Sequence, residues 1–191
     1  MEISQIVFDK NISCLEVINP TLAEKIKYYL PNKIDFKIVE GRTKTISISG
    51  LQISSRHGPM EEAAVQASAI PDHELLYLYG LGLGYLPEEV LKRESIKVLN
   101  IKIMNLAIFS LTLYLRDQRV WLNDRRVSVS LANQDIDAKG PYFAFPPELN
   151  LADEQTLRIR NILETDISYK FTKNQFRPDD ELLNNRINDN H

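Results

Sequence analysis

In the stretch YLYGLGLGYLPEE, Tyr77 to Glu89, three glycines alternate with apolar residues between an apolar run and a helix start. A turn of this kind can do one piece of chemistry. With no side chains on Gly80, Gly82 and Gly84, a phosphate or an adenosyl cofactor can come close to backbone N–H groups that open a helix. The spacing is G-x-G-x-G, which differs from the dinucleotide pattern G-x-G-x-x-G. Tyr85 follows the last glycine directly.

Two features weigh against a bound cofactor. The G-x-G-x-G spacing resembles motif I of S-adenosylmethionine methyltransferases, which usually carries an acid two residues before the first glycine, but that position here is Leu78. The next strand should end in an Asp or Glu that accepts from ribose hydroxyls, yet no carboxylate occurs between Glu94 and Asp117. Asn100, Lys102 and Asn105 occupy that region, and an amide oxygen accepts without the charge that strengthens a carboxylate's bond. Glu88 and Glu89 place negative charge in the first turn of the helix, which favours the helix but repels a phosphate. The reading this supports is a tight turn that lets strand and helix pack closely, in a Rossmann-like domain with a degenerate cofactor site.

A second cluster is Ser55, Arg56 and His57, just before the helix opened by Gly58-Pro59. It could bind an anion through Arg56, His57 and the free N–H groups of the helix start, or form a loop held by local hydrogen bonds. The arginines Arg116, Arg119, Arg125 and Arg126 interleave with Trp121, but Asp117 and Asp124 sit among them, which reads as a locally paired surface. No G-x-S-x-G elbow is present, and no catalytic residue is assigned. Three scattered histidines and the single Cys14 exclude a cysteine-built metal site and an intramolecular disulfide, and no metal is assigned.

Positioning these groups falls to a predicted α/β fold. A small N-terminal α+β part, residues 1–70, holds a helix from Pro20 to Leu30 and a hairpin with Ile34, Phe36 and Ile38 facing Ile46 and Ile48. Residues 71–170 read as a partial Rossmann-like parallel sheet. Its strands are Leu75–Tyr79, Ile96–Ile103 and a run through Val127, Val129 and Leu131, with helices after Gly84 and over Asn105–Leu115. PYFAFPPELN reads as extended, and a last helix is expected with Asn150 as its cap. Residues 171–191 are polar and expected to be disordered. A net charge of −3 gives no basic excess to draw in nucleic acid. No run approaches about 20 apolar residues, so no membrane span is expected and the cytoplasm is the expected compartment.

The two clusters together resemble a known family. ISSRHGPMEEAAVQA followed by LYLYGLGLGYLPEEVLKR is similar to the N-terminal domain of motility accessory factor (Maf) proteins, which are flagellin glycosyltransferases. Ser55, Arg56, Pro59, Glu62 and Ala63 match that family's first motif, while His57 and Gly58 depart from it. Gly80, Gly82, Gly84 and Tyr85 match the second. Phe109 fits the helix that follows, but Ile103 stands where the family tends to show Glu. WLNDRRVSVSL is similar to the family's next strand entry, and the resemblance runs over about residues 11–170. In such proteins the glycosyltransfer is assigned to a larger central domain, for which no room remains after Glu164. The resemblance therefore implies a stand-alone or truncated module, non-catalytic, with an interaction or positioning role in flagellin or surface glycosylation. A protein partner or a homodimer is the expected company, and no cofactor is expected. The alternatives are an S-adenosylmethionine-dependent methyltransferase-like enzyme using the Gly80–Gly84 turn, or a nucleotide-sugar-binding domain using that crevice with Ser55, Arg56 and His57.

Overall fold

Ser4 opens a helix that the sequence pattern conceals. Its Oγ accepts from the Val7 amide at 3.3 Å, and α1 runs from Gln5 to Ile18. Phe8, Asn11, Ile12 and Leu15 form its buried face. A polar Asn in the middle of that stripe, with Ile6 and Val17 exposed outside it, blurs the 3.6-residue period by which an amphipathic helix is read. The computed structural model describes the backbone over residues 2–188 and the side chains over 2–173, residue 33 excepted.

Asn19 ends α1 and begins α2 (Pro20–Ile26). Its Oδ1 accepts from the Leu22 amide at 3.0 Å, while its Nδ2 donates to the Val129 carbonyl at 2.9 Å. One side chain thus caps a helix and ties it to a distant strand. Asn19→Ala is expected to cost about 1 kcal/mol for the cap alone, measurable as a lower urea midpoint. A 3-10 turn at Pro31–Lys33 leads into an antiparallel sheet of β1 (Phe36–Val39), β2 (Thr45–Ile48) and β3 (Leu51–Gln52), with Phe36 opposite Ile48 and Ile38 opposite Ile46. Ile46 and Ile48 are buried, but Ile38 is 43% exposed, so the predicted covered face is complete only on β2.

Next come α3 (Pro59–Ala69), β4 (Leu75–Tyr79), α4 (Tyr85–Leu91), β5 (Val98–Ile103), α5 (Leu106–Leu115), α6 (Arg119–Leu122), β6 (Val127–Leu131), β7 (Tyr142–Ala144), α7 (Pro146–Asn150) and α8 (Leu157–Asn188). Strands β4 to β7 form one parallel sheet in the order β6-β5-β4-β7. The result is the mixed α/β, Rossmann-like fold expected, with a fourth strand where PYFAF reads only as extended. Asn150 closes α7 instead of capping the last helix, which starts after Thr156. Where composition predicts a disordered tail from 171, the backbone of α8 continues to Asn188, because extending a helix anchored by buried Ile159 and Leu163 adds one hydrogen bond per residue fixed and no new nucleus. Residues 189–191 of that tail lie outside the described residues.

The two sheet faces differ. Leu76, Leu78, Leu99, Ile101, Ile103, Val127, Val129 and Leu131 point into one apolar core shared with α1, α2, α4, α5 and β2, which runs through both predicted parts of the chain. Helix α5 is apolar all round and lies within that core, as such a helix must. The other face carries Tyr77, Tyr79, Asn100, Lys102, Ser128 and Ser130 in register. It is covered by α8 and the 132–139 segment around Tyr79, Met104, Leu149, Ile159 and Leu163, while Leu75 and Val98 at its start stay exposed.

Candidate functional site

In a parallel sheet of this order, the chain leaves β4 toward β5 on one side and returns as β7 on the other. Ligands of open α/β sheets bind at the carboxyl ends of the strands flanking such a reversal. The glycine turn sits there. Gly80, Gly82 and Gly84 have φ of 84°, 61° and 83°, in the left-handed region where L side chains are strained.

The crevice is filled by the chain itself. Glu148, on α7 and 1% exposed, places Oε1 at 2.7 Å from the Leu81 amide and 2.6 Å from the Gly82 amide, accepting from both. The Gly80 amide donates to the Lys102 carbonyl at 2.9 Å, and the Gly84 amide to the Leu81 carbonyl at 3.0 Å. The turn's carbonyls are also engaged: Thr112 Oγ1 donates to Gly82, Gln118 Nε2 to Leu83 and Arg116 Nη1 to Gly84. A Cβ on Gly82 would stand 2.8 Å from Phe145 Cζ, and one on Gly84 only 2.0 Å from Gln118 Oε1. These glycines are required because Phe145 and Gln118 press against the bare backbone. The space left beside the turn is about 10 Å³, lined by Ser54, Glu62, Gly82, Tyr85 and Phe145 among others, at most the size needed for one water.

Burial pushes the Glu148 carboxyl up to about 7, against the opposing pull of the Leu81 and Gly82 amides. Its second oxygen, Oε2, is buried without a hydrogen-bond partner. A carboxylate with one satisfied oxygen and one dry oxygen gains too little to offset its lost hydration, so it holds a proton more tightly than in water.

Where β5 ends, the acid at hand is Asp153, whose amide donates to the Met104 carbonyl at 3.2 Å and whose Oδ2 accepts from the Leu106 amide at 3.3 Å at the start of α5. Asn105 is spent on α5: its Oδ1 accepts from Ala107 and Ile108, and its Nδ2 donates to the Leu151 carbonyl. Asn100 lies mid-strand on the opposite face, opposite Tyr77 on β4 and bonded to Ser128, so the fold does not bring it to the glycines. Lys102 is buried, its Nζ 2.6 Å from Asp135 Oδ2 and 3.0 Å from Ser130 Oγ. Burial alone would raise the Asp135 carboxyl, but the ammonium groups of Lys102 and Lys139 hold it below its usual range. The pair fastens the 132–139 segment to the sheet.

Tyr85 begins α4 and lies under the Arg116 guanidinium, 4.1 Å from its ring centre, while Arg116 also pairs with Glu88 at 2.7 Å. Ser55 accepts from the His57 and Gly58 amides at 3.2 Å each, and its own amide donates to Glu62 Oε2 at 2.8 Å. Arg56 and His57 are exposed and bonded to each other, Arg56 Nε donating to His57 Nε2. The first-motif residues Pro59, Glu62 and Ala63 line the same residual space as Gly82 and Tyr85. The two sequence motifs are thus brought together, as packing partners. In the arginine cluster, Arg119 pairs with Asp117 and Arg126 with Asp124, each at 2.6 Å, and Trp121 is buried with its Nε1 on Gln118 Oε1 at 2.6 Å.

Sequence reasoning missed Glu148, Phe145 and Gln118. A lone acid set between Pro147 and Leu149 was the available signal for Glu148; nothing local marks it as the partner of amides 66 and 67 residues away. Among the described residues, no group of three His, Cys, Asp or Glu side chains could hold a metal, and no helix is long and apolar enough to cross a membrane.

No protein-family model matches the chain, and no curated protein matches it in sequence. Among solved structures, its fold is similar to that of the Maf glycosyltransferase from Magnetospirillum magneticum AMB-1, with a TM-score of 0.52 and 15% identity over 68% of this chain and 28% of that one. A weaker likeness links it to spermidine synthase in complex with the transition-state analogue AdoDATO (TM-score 0.41, 20% identity, 47% of this chain and 32% of that one). The spermidine synthase from Thermotoga maritima is similar at a TM-score of 0.40 and 19% identity, over 47% of this chain and 33% of that one. This chain therefore spans little more than a quarter of the Maf protein whose fold it shares.

Proposed function

We propose that this chain is a non-catalytic Rossmann-like module with an interaction or positioning role in flagellin or surface glycosylation, related to the N-terminal part of Maf-type glycosyltransferases and working in the cytoplasm. The observation that carries the reading is the occupied turn. The Leu81 and Gly82 amides, which a cofactor's anionic group would need, are taken by Glu148, and Phe145 lies where the ligand would pass Gly82. The fold shared with a Maf glycosyltransferase supplies the context. Ile167, Tyr169 and Phe171, left exposed along α8, supply apolar surface for a protein partner or a second copy.

Thermal unfolding with millimolar S-adenosylmethionine or a nucleotide sugar tests the reading. A ligand present at 100 times its Kd would add about 2.7 kcal/mol of stability; the expected result is an unchanged Tm with either. Light scattering on the purified chain, alone and with purified flagellin, is expected to show a dimer or a complex. A raised Tm with S-adenosylmethionine would turn the assignment to a methyltransferase-like protein, and one with the nucleotide sugar to a sugar-nucleotide binder. A monomer that ignores flagellin would remove the interaction role.

A further inference from the structure

The glycine turn holds a carboxyl-binding arrangement in working order. Two successive amides, Leu81 and Gly82, converge on a single oxygen, the positive φ of Gly80 and Gly82 aims them there, and the oxygen belongs to a side chain from another element. Successive N–H groups of this kind form a concave nest for an anion. The occupant is imperfectly matched, since its other oxygen, Oε2, is buried and unpartnered. A side chain kept in place only for packing would more cheaply be apolar, because a buried polar atom without a partner costs free energy.

We infer that the turn is a carboxyl-binding site with a built-in occupant, and that a small free monocarboxylic acid of acetate size takes the same two amides once the Glu148 side chain is cut back. This goes beyond the interaction role and does not rest on it. In the intact chain Glu148 shuts the site from inside.

Glu148→Ala removes CH2–COO−, the heavy atoms of acetate, and leaves a space bounded by Gly80, Leu81, Gly82 and Phe145. The causes that act on the Glu148 carboxyl are burial and the Leu81 and Gly82 amides. Glu62 and Tyr85, the titratable groups that line the residual space next to it, are turned to other partners, Glu62 to the Ser55 amide and Tyr85 to Arg116. The site therefore favours a carboxyl group that keeps its proton, and uptake of acetate strengthens as pH falls from 8 to 5.5.

Melting of Glu148→Ala and wild type with 0–200 mM acetate, at constant ionic strength made up with chloride, tests this. Acetate is expected to raise the variant's Tm by about 3 °C or more, more at pH 5.5 than at pH 8, with a smaller effect from propionate, which is one methylene too long. Wild type, already occupied, is expected to show no specific rise. Equal shifts in the two proteins, or equal shifts with acetate and propionate, would overturn the proposal. Should Glu148→Ala not fold, the wild-type amide resonances of Leu81 and Gly82 decide. They are expected to move together with one midpoint near neutral pH and to stay fixed in Glu148→Gln; if they do not titrate, the nest is not reading a carboxyl group and the inference fails.

Discussion

Moving from pH 5 to pH 8 is expected to shift the stability difference between Glu148→Gln and wild type by about 2–3 kcal/mol in favour of the variant. The sign follows from the direction of the shift. Burial raises the folded-state carboxyl from 4.5 to about 7, so the folded protein binds this proton more tightly than the unfolded chain does. The stability it contributes is complete below the unfolded value near 4.5 and is lost as pH rises through about 7. Glutamine keeps an oxygen for the Leu81 and Gly82 amides and has no charge to desolvate, so its contribution is flat across that range. Other carboxyls act in the opposite sense: Arg119 holds Asp117 down to about 2, and Arg126 lowers Asp124. Their contributions fall away only in acid, and they cancel in the difference between the two proteins. Urea unfolding of both at pH 5, 6.5 and 8 measures it, and parallel pH dependences would mean that Glu148 is not the buried acid described.

The second large effect belongs to Asn11→Leu, for which a loss of about 3–5 kcal/mol is expected, or roughly 10 °C in Tm for a chain of this size. Asn11 is fully buried on α1. Its Nδ2 donates to the Leu113 and Arg116 carbonyls at 2.8 Å each, and its Oδ1 accepts from the Gln118 amide at 2.8 Å. It therefore satisfies three backbone groups where α5 ends and the chain turns toward α6, a place where helix carbonyls lack intrahelical partners. Leucine fills the volume and strands all three. The damage is expected to spread, because Gln118, held by Asn11, in turn holds Trp121 Nε1 and the Leu83 carbonyl beside the glycine turn. Asn11→Asp discriminates further. It keeps the acceptor but turns a carboxylate toward two carbonyls, so it should be worse than leucine at neutral pH and recover in part on acidification. A loss below about 1 kcal/mol for Asn11→Leu would refute this account, since a single typical hydrogen bond would then cover the whole effect.

The parallel sheet was legible in the sequence because its signals are local. LLYLY, IKVLNIKI and RRVSVSL carry their β character in residues next to one another. Gly84 and Asn105 mark helix starts within a residue, and the apolar stretch at 106–115 announces a buried helix. The turn at Gly80–Gly84 announced itself by type alone. The short β7 escaped because a three-residue strand in the four-residue gap between Pro141 and Pro146 holds no period of its own, and α1 because its buried face contains the asparagine that makes it useful elsewhere.

What the turn holds was a different kind of question. Composition determined that these glycines could admit something close to the backbone; it could not determine what. Glu148, Phe145 and Gln118 lie 34 to 68 positions along the chain from the glycines they touch, and each reads locally as an ordinary loop or helix residue. Only the return of the chain as β7, on the far side of β4, carries Phe145 and Glu148 over the crevice. Desolvation there then turns an unremarkable glutamate into a proton-holding plug. Local propensity needs only neighbours in sequence, whereas burial, the shifted carboxyl and the filled site arise from contacts that exist once the sheet has closed.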